Sequence, residues 1–397
     1  MRNAFFSFLA LLLVFFRPVS GYSHPWETIP FKMVGQHAFI QMVAEEKDTL
    51  NLIFDTGAST FVLNEILLKK LNLSFDQMVS STGIGGQREV KIGEIKYLRS
   101  GKVSLHQIPA IAASLSHLEV KIGHKIDGII GYNFLRSHIV RMNYDKMLLE
   151  IFDQDEFCPE DYGRSHSIDL STGIPVLSAS VSLNDGSVVS GKFLIDSGAG
   201  SGLILNTPLV TEKRLTEIAR NAGFQDESTG LNNQPAPYFE TVMPGLTFGG
   251  YLLQRIPTRL SQGTTGVTAM PEYAGIIGNQ ILQRFSLVFD YQKEKIYIQP
   301  NSRLAHPFPN DASGLKIQLN ESYTRIVVNK VIENSPAAHA GLKKGDILLA
   351  INDQRLKPED LPMLKETFSQ PGKKIVLTVF REGKAFPVRI LLADWFM

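Results

Sequence analysis

The stretch NLIFDTGAS, residues 51–59, places Asp55 between an apolar run and a turn made by Thr56 and Gly57. Alone it decides little, because Asp, Thr and Gly are common turn residues. GKFLIDSGAG, residues 191–200, repeats the apolar run, the aspartate (Asp196), a hydroxyl residue (Ser197), Gly198 and an alanine. Further landmarks keep the same order. STGIGGQ (81–87) returns as STGLNNQ (228–234), and DGIIGYNFL (127–135) returns as AGIIGNQIL (274–282), both displaced by 147 positions. Tyr144 and Tyr291 keep that displacement, whereas the two aspartates lie 141 apart, so about six extra residues fall between Asp196 and the second STG. Two copies imply paired lobes rather than a solenoid, which needs three or more.

A chain of 397 residues has room for two or three domains, and its 44% hydrophobic share suits ordinary cores. The net charge of +1, without a basic run, argues against nucleic acid as a partner. At the N-terminus Arg2 precedes 13 mostly apolar residues, Ala4 to Phe16, followed by Val19, Ser20 and Gly21. That run is short for a membrane span, which needs about 20 residues, and residues 1–21 are expected to be an export signal. Arg17 and Pro18 are unfavourable before a cleavage point, which leaves an uncleaved anchor as the alternative. Cys158 is the single cysteine, so no internal disulfide is expected, and its acidic neighbours Asp155, Glu156, Glu160 and Asp161 would oppose a thiolate. The nine histidines show no paired ligand spacing, and neither a metal nor another cofactor is expected.

Strand-like alternation dominates up to Gln299. FIQMVAEEKDTLNLIFD and LSASVSLNDGSVVSGKFLID each predict a hairpin leading into an aspartate-bearing turn, the second reversing at Asn184, Asp185 and Gly186. Helical pattern is brief: NEILLKKLNL, and TEKRLTEIARNAG stopping at Gly223. A polar, acidic stretch from Phe152 divides the lobes, and PNSRLAHPFPNDASG from Pro300 ends the second. The expected organisation is a first lobe at 22–157, a linker at 158–172, a second lobe at 173–300, a linker at 301–312 and a small domain at 313–397. In that last domain the pattern predicts a strand Arg325 to Val331, a helix entered at Ser335 and Pro336 and closed by Gly341, a strand Ile347 to Ile351, and two strands around Glu382 and Gly383.

Two carboxylates on facing turns suit metal-free peptide hydrolysis. Like charges about 4 Å apart repel by roughly 4 kcal/mol at an effective dielectric of about 20, so one proton is shared between them. The ionised member can take a proton from water while the protonated member polarises the scissile carbonyl. Thr56 and Ser197 supply hydroxyls that can bond across to the opposite turn, and Gly57 and Gly198 let backbone N–H groups approach the carboxylates. Ile129, Ile130, Ile276 and Ile277 are expected to be core residues beneath the turns.

DTGAS with IIG, repeated as DSGAG with IIG, resembles the aspartic proteases, and among them retroviral-type (retropepsin-like) lobes joined in tandem. The resemblance spans about Ile29 to Gln299. It implies a mainly β, two-lobed aspartic protease fold of tandem β-barrels with Asp55 and Asp196 as catalytic dyad and no cofactor. It also implies a glycine-rich flap, for which Gly83, Ile84, Gly85 and Gly86 are candidates. The second copy, with Leu231 and Asn232, keeps the position without the glycines. GIGG has no helix after it, which disfavours a dinucleotide fingerprint. The segment from Ser313 onward, through NSPAAHAGLKKGDILLAIN, resembles the PDZ domains fused to bacterial envelope proteases. That resemblance implies a carboxylate-binding loop at Gly314, Leu315, Lys316 and Ile317 for a C-terminal peptide ligand. A PDZ fold that merely packs on the lobes is the alternative.

The expectation is thus an exported, periplasmic or extracellular endopeptidase acting on proteins or peptides, monomeric because one chain supplies both halves. A non-catalytic peptide-binding scaffold is the competing reading.

Overall fold

The computed structural model describes residues 23–395, and residues 1–21, read as an export signal, lie outside them. The described chain is mainly β. Among the described residues no helix is long and apolar enough to cross a membrane.

Each lobe grows from one of the two aspartate strands. His37–Ala44 and Asp48–Phe54 form the first hairpin, and Val176–Ser182 and Val188–Asp196 the second. The second reverses at Asp185 and Gly186, where Gly186 has φ +85° and Asp185 Oδ1 accepts the Ser187 N–H at 2.9 Å. Both aspartate strands end in a continuous apolar run because they pass into the middle of a sheet, beside a parallel partner, where both faces are covered. Leu52, Ile53 and Phe54 pair with Gly128, Ile129 and Ile130. Phe193 to Asp196 pair with Gly275 to Gly278 in the same way. The two Ile-Ile pairs therefore lie beside the aspartate strands, and all four are buried. Gly131 and Gly278 allow the close approach, since a Cβ would meet the Asp55 carbonyl oxygen at 1.8 Å in one lobe and that of Ser201 at 2.4 Å in the other.

The lobes share a sheet. Its strands run in the order Arg164–Ser167, Lys295–Pro300, Phe285–Asp290, Ile139–Asn143, Leu148–Phe152 and Glu27–Val34. At its centre Val140 pairs with Phe289, Arg141 with Val288 and Met142 with Leu287. The 147-residue displacement maps Val140 onto Leu287 and Met142 onto Phe289, so a pseudo-twofold axis passes through the Arg141–Val288 pair. The segment 158–172 is more than a tether. Its strand Arg164–Ser167 pairs with Ile298 to Lys295 in the register by which Glu27 to Pro30 pair with Ile151 to Leu148, so the second repeat starts before residue 173.

The helical stretches are shorter than their sequences suggest. NEILLKKLNL forms one 3-10 turn, Glu65–Leu67, and one α turn, Leu68–Leu71, ended by the left-handed Asn72 at φ 56°. TEKRLTEIARNAG does not form one helix ending at Gly223. It is split between Thr207–Glu212 and Leu215–Ile218 by Arg214, which takes φ 49°. Gly223 opens the strand Gly223–Thr229, where a Cβ would lie 2.2 Å from the Glu240 carbonyl oxygen of the next strand.

The C-terminal segment forms its own sheet, with Leu315–Leu319 at one edge, then Ile326–Val331, Ile347–Ile351, Lys374–Arg381 and Lys384–Leu391. The helix Pro336–His339 starts where expected, and the Ser335 hydroxyl accepts the Ala338 N–H at 3.2 Å. A second helix, Leu361–Thr367, and the helix Ser116–Ile122 of the first lobe are features that sequence reading did not anticipate. Linker residues 303–307 are held by the buried Arg284, whose guanidinium donates to the carbonyls of Arg303 (2.9 Å), Leu304 (3.4 Å), His306 and Pro307 (3.1 Å).

Candidate active site

The two aspartate turns meet on the pseudo-twofold axis and are tied by reciprocal bonds. The Thr56 hydroxyl donates to the Ile195 carbonyl at 2.7 Å and accepts the Ser197 N–H at 2.9 Å. The Ser197 hydroxyl donates to the Phe54 carbonyl at 3.1 Å and accepts the Thr56 N–H at 3.0 Å. Both side chains are fully buried, so each of these groups depends on its partner across the axis.

This lattice brings the Asp55 and Asp196 carboxyls within hydrogen-bonding reach of each other. Asp55 Oδ1 accepts from the N–H groups of Gly57 (2.7 Å) and Gly198 (3.1 Å), and Asp196 Oδ1 accepts from Ala199 (2.8 Å). Only glycine fits at the two crossing positions. A Cβ at Gly198 would fall 2.2 Å from the Asp55 carboxyl carbon, and one at Gly57 would fall 2.5 Å from that of Asp196. Removal from water pushes Asp55 well above the usual carboxylate range, and the charge of Asp196 adds to it. Asp196 is also raised, again mainly by desolvation. The two carboxyls are therefore coupled, and ionising one makes the other harder to ionise.

Tyrosines and a histidine surround the turns. The Tyr291 hydroxyl is buried without a hydrogen-bond partner among the described residues, and desolvation together with the Asp55 charge raises its pKa well above normal. Its ring lies 6.0 Å from that of Tyr132. The related Tyr144 instead donates to Asn279 Oδ1 at 2.5 Å, and the Asn279 amide donates to the Gln36 carbonyl at 2.7 Å, bridging the lobes. His37 packs against the second turn. Burial, then the Lys365 charge, pull its imidazole down to about 4, against a hydrogen bond to the Gly198 backbone. The repeat marked the two tyrosines as landmarks; nothing in the sequence marked His37.

Both flap candidates are hairpin tips, and they touch. Gly83 and Gly86 flank the reversal between Gln77–Gly83 and Gly86–Ser100, while Leu231 and Asn232 lie between Gly223–Thr229 and Pro235–Phe248. The Asn232 amide donates to the Gly86 carbonyl at 2.6 Å, and the Thr265 hydroxyl donates to that of Gly85 at 3.1 Å. Ile84 packs over Gly230, where a Cβ would sit 3.4 Å from its own. Leu231 packs onto the first lobe, in the cluster that includes Leu118 and Ile122.

The loop read as a carboxylate binder is already satisfied from within. Asp311 Oδ1 accepts the N–H groups of Ser313 (2.9 Å) and Gly314 (2.8 Å), and the Ser313 hydroxyl accepts that of Leu315 (3.0 Å). Lys316 and Ile317 belong to the edge strand, and the Lys316 ammonium lies 3.1 Å from Asp311 and 3.8 Å from Asp226. Sequence reading missed Asp311, three residues before Gly314, although an aspartate just ahead of a Ser-Gly turn is a standard source of such bonds.

Residues 40–134 match the family described as aspartyl protease, and residues 313–392 match the PDZ domain. The chain joins an aspartyl protease domain to a PDZ domain. It is similar to a probable periplasmic serine endoprotease DegP-like of Brucella suis, 39% identical over 62 residues, which are 15% of this chain and 12% of that protein. It is also similar to the serine endoprotease DegS of Haemophilus influenzae, 31% identical over 72 residues, 18% and 21% of the two chains. The protein thus spans a minor part of these relatives. The crystal structure of aspartic proteinase from Irpex lacteus aligns with 71% of this chain and 99% of its own at 13% identity and a TM-score of 0.43. The protease-family match covers the turn of Asp55, and the PDZ match covers the edge strand Leu315–Leu319.

Proposed function

We propose that the protein is an aspartic endopeptidase that hydrolyses peptide bonds through Asp55 and Asp196, exported to the periplasm or extracellular space and active as a monomer. The observation that carries this is the pair of carboxyls facing each other on reciprocally bonded turns, both pushed above the usual carboxylate range chiefly by burial. In this reading the ionised carboxyl draws a proton from a water whose oxygen adds to the scissile carbonyl carbon while the protonated one donates to the carbonyl oxygen; the carbon–nitrogen bond then breaks as the proton taken from the water passes to the leaving nitrogen and a hydroxyl of the tetrahedral diol returns its proton to the other carboxyl. Thr56, Gly57, Ser197 and Gly198 keep the carboxyls in place, and the hairpin tips at Gly83–Gly86 and Leu231–Asn232 close over a peptide. The PDZ domain contributes partner or substrate recognition. The relatives named serine endoproteases match 15% and 18% of this chain and 12% and 21% of their own length, so the catalytic type of those whole proteins is not carried over to it.

The test is cleavage of a diverse peptide library by the chain from residue 22 onward, beside its Asp55→Asn twin, from about pH 4 to about pH 8. Cuts that the variant loses by at least ~10²-fold are expected. A folded protein that cuts nothing would overturn the proposal in favour of a peptide-binding scaffold, and a variant that cuts equally well would overturn the Asp55/Asp196 dyad.

A further inference from the structure

A PDZ sheet takes a peptide as an added strand along an exposed edge. Here the edge strand is Leu315–Leu319, and the helix Leu361–Thr367 lies beside it. That edge is not open. The helix Ser116–Ile122 of the first lobe packs directly on Leu315–Leu319. Val120, partly buried, packs against the PDZ core cluster, and Gly123, the left-handed C-cap of this helix at φ 78°, lies so close to Leu361 that a Cβ would be 2.8 Å from its Cδ2. Polar ties close both ends. The Tyr323 hydroxyl donates to Glu119 Oε2 at 3.0 Å, and the Lys365 ammonium donates to the Lys121 carbonyl.

The other side of the same helix holds the second hairpin tip. His117 Nε2 is 2.9 Å from the Gly230 carbonyl, and the Lys121 ammonium donates to the Thr229 hydroxyl. Leu118 and Ile122 share an apolar cluster with Leu231.

From these contacts we infer that Ser116–Ile122 is an internal ligand of the PDZ groove, and that its seating there holds the second hairpin tip closed over the cleft. A peptide that adds to Leu315–Leu319 must displace this helix, and displacement removes the bonds at Thr229 and Gly230. PDZ occupancy and hairpin opening are then one equilibrium, each favouring the other. The Asp311 carboxylate, already seated on the loop N–H groups, fits a groove whose resident partner brings no free C-terminus.

The experiment is hydrogen exchange on the full chain carrying Val120→Asp, which forces a charge into the PDZ contact. Its read-out is structural, so the inference stands or falls separately from peptidase activity. Amides of Leu315–Leu319 and of residues 228–235 should both exchange at least ~10-fold faster, with the aspartate strand Asp48–Phe54 unchanged. Faster exchange at Leu315–Leu319 with no change at 228–235 would overturn the coupling. Should Val120→Asp also expose Asp48–Phe54, the double variant Tyr323→Phe/Lys365→Met, which alters no core side chain, replaces it. A rise of roughly threefold or more at both places supports the inference, and no rise at 228–235 overturns it.

Discussion

Folding takes the Asp55 and Asp196 carboxyls out of water and sets them side by side, so the native pair holds a proton that an unfolded aspartate, with a pKa of about 3.9, would release. Below that value both states are protonated and the site costs nothing. As the pH rises the unfolded chain loses the proton first, so stability falls until the folded pair has titrated too. A tenfold difference in proton affinity is worth about 1.4 kcal/mol. Asp55→Asn, which removes one ionisation while keeping the shape, should melt higher than the native protein at about pH 7, with the gain vanishing near about pH 3. Thermal melts at both pH values check it, and a gain that is equal at both would show that ionisation is not its source. Thr56→Val works in the opposite direction at every pH. It orphans the buried Ile195 carbonyl and Ser197 N–H, at about 1–3 kcal/mol each, and should lower the melting temperature by several degrees.

Among the elements, those carrying their own punctuation were legible in the sequence. The aspartate hairpins, the Ser335-Pro336 helix start and the strands around Glu382 and Gly383 are encoded within a dozen residues of themselves. The two aspartates could be paired only because the chain writes the motif twice. Elements whose identity depends on distant partners were not legible: Ser116–Ile122 and Leu361–Thr367 are both only seven residues long, and each rests on a face supplied from elsewhere in the chain. His37 was invisible for the same reason, since the Gly198 backbone and Lys365 that act on it belong to the second lobe and the PDZ domain. The hairpin tips are an intermediate case, aligned by sequence but joined only in space. Asn232→Ala removes the bond to the Gly86 carbonyl, worth about 1–3 kcal/mol where buried. Amides of residues 83–86 should then exchange ~10-fold faster or more, with Asp48–Phe54 unaffected.

At the scale of the whole molecule, three bodies are held by a shared sheet, a docked linker and the PDZ contacts. Phe224 stacks on Trp395 with ring centroids 5.1 Å apart, and the buried Asp226 takes ion pairs from Lys330 at 2.9 Å and Lys316 at 3.8 Å. The linker depends most on Arg284, whose guanidinium burial lowers to about 10. Arg284→Ala frees the carbonyls it binds, and residues 303–307 should become the first site cut by a broad-specificity protease while the lobes stay resistant. The shared sheet has a further consequence, in time rather than in space. Ile139–Asn143 gains its second neighbour only from Phe285–Asp290, made about 140 residues later. At roughly 5–20 residues per second that is on the order of 10 s or more of synthesis. For that interval the newborn first lobe offers a bare strand edge that another copy could cap, so crowded, slow production should yield tangled pairs of chains where dilute refolding yields single ones.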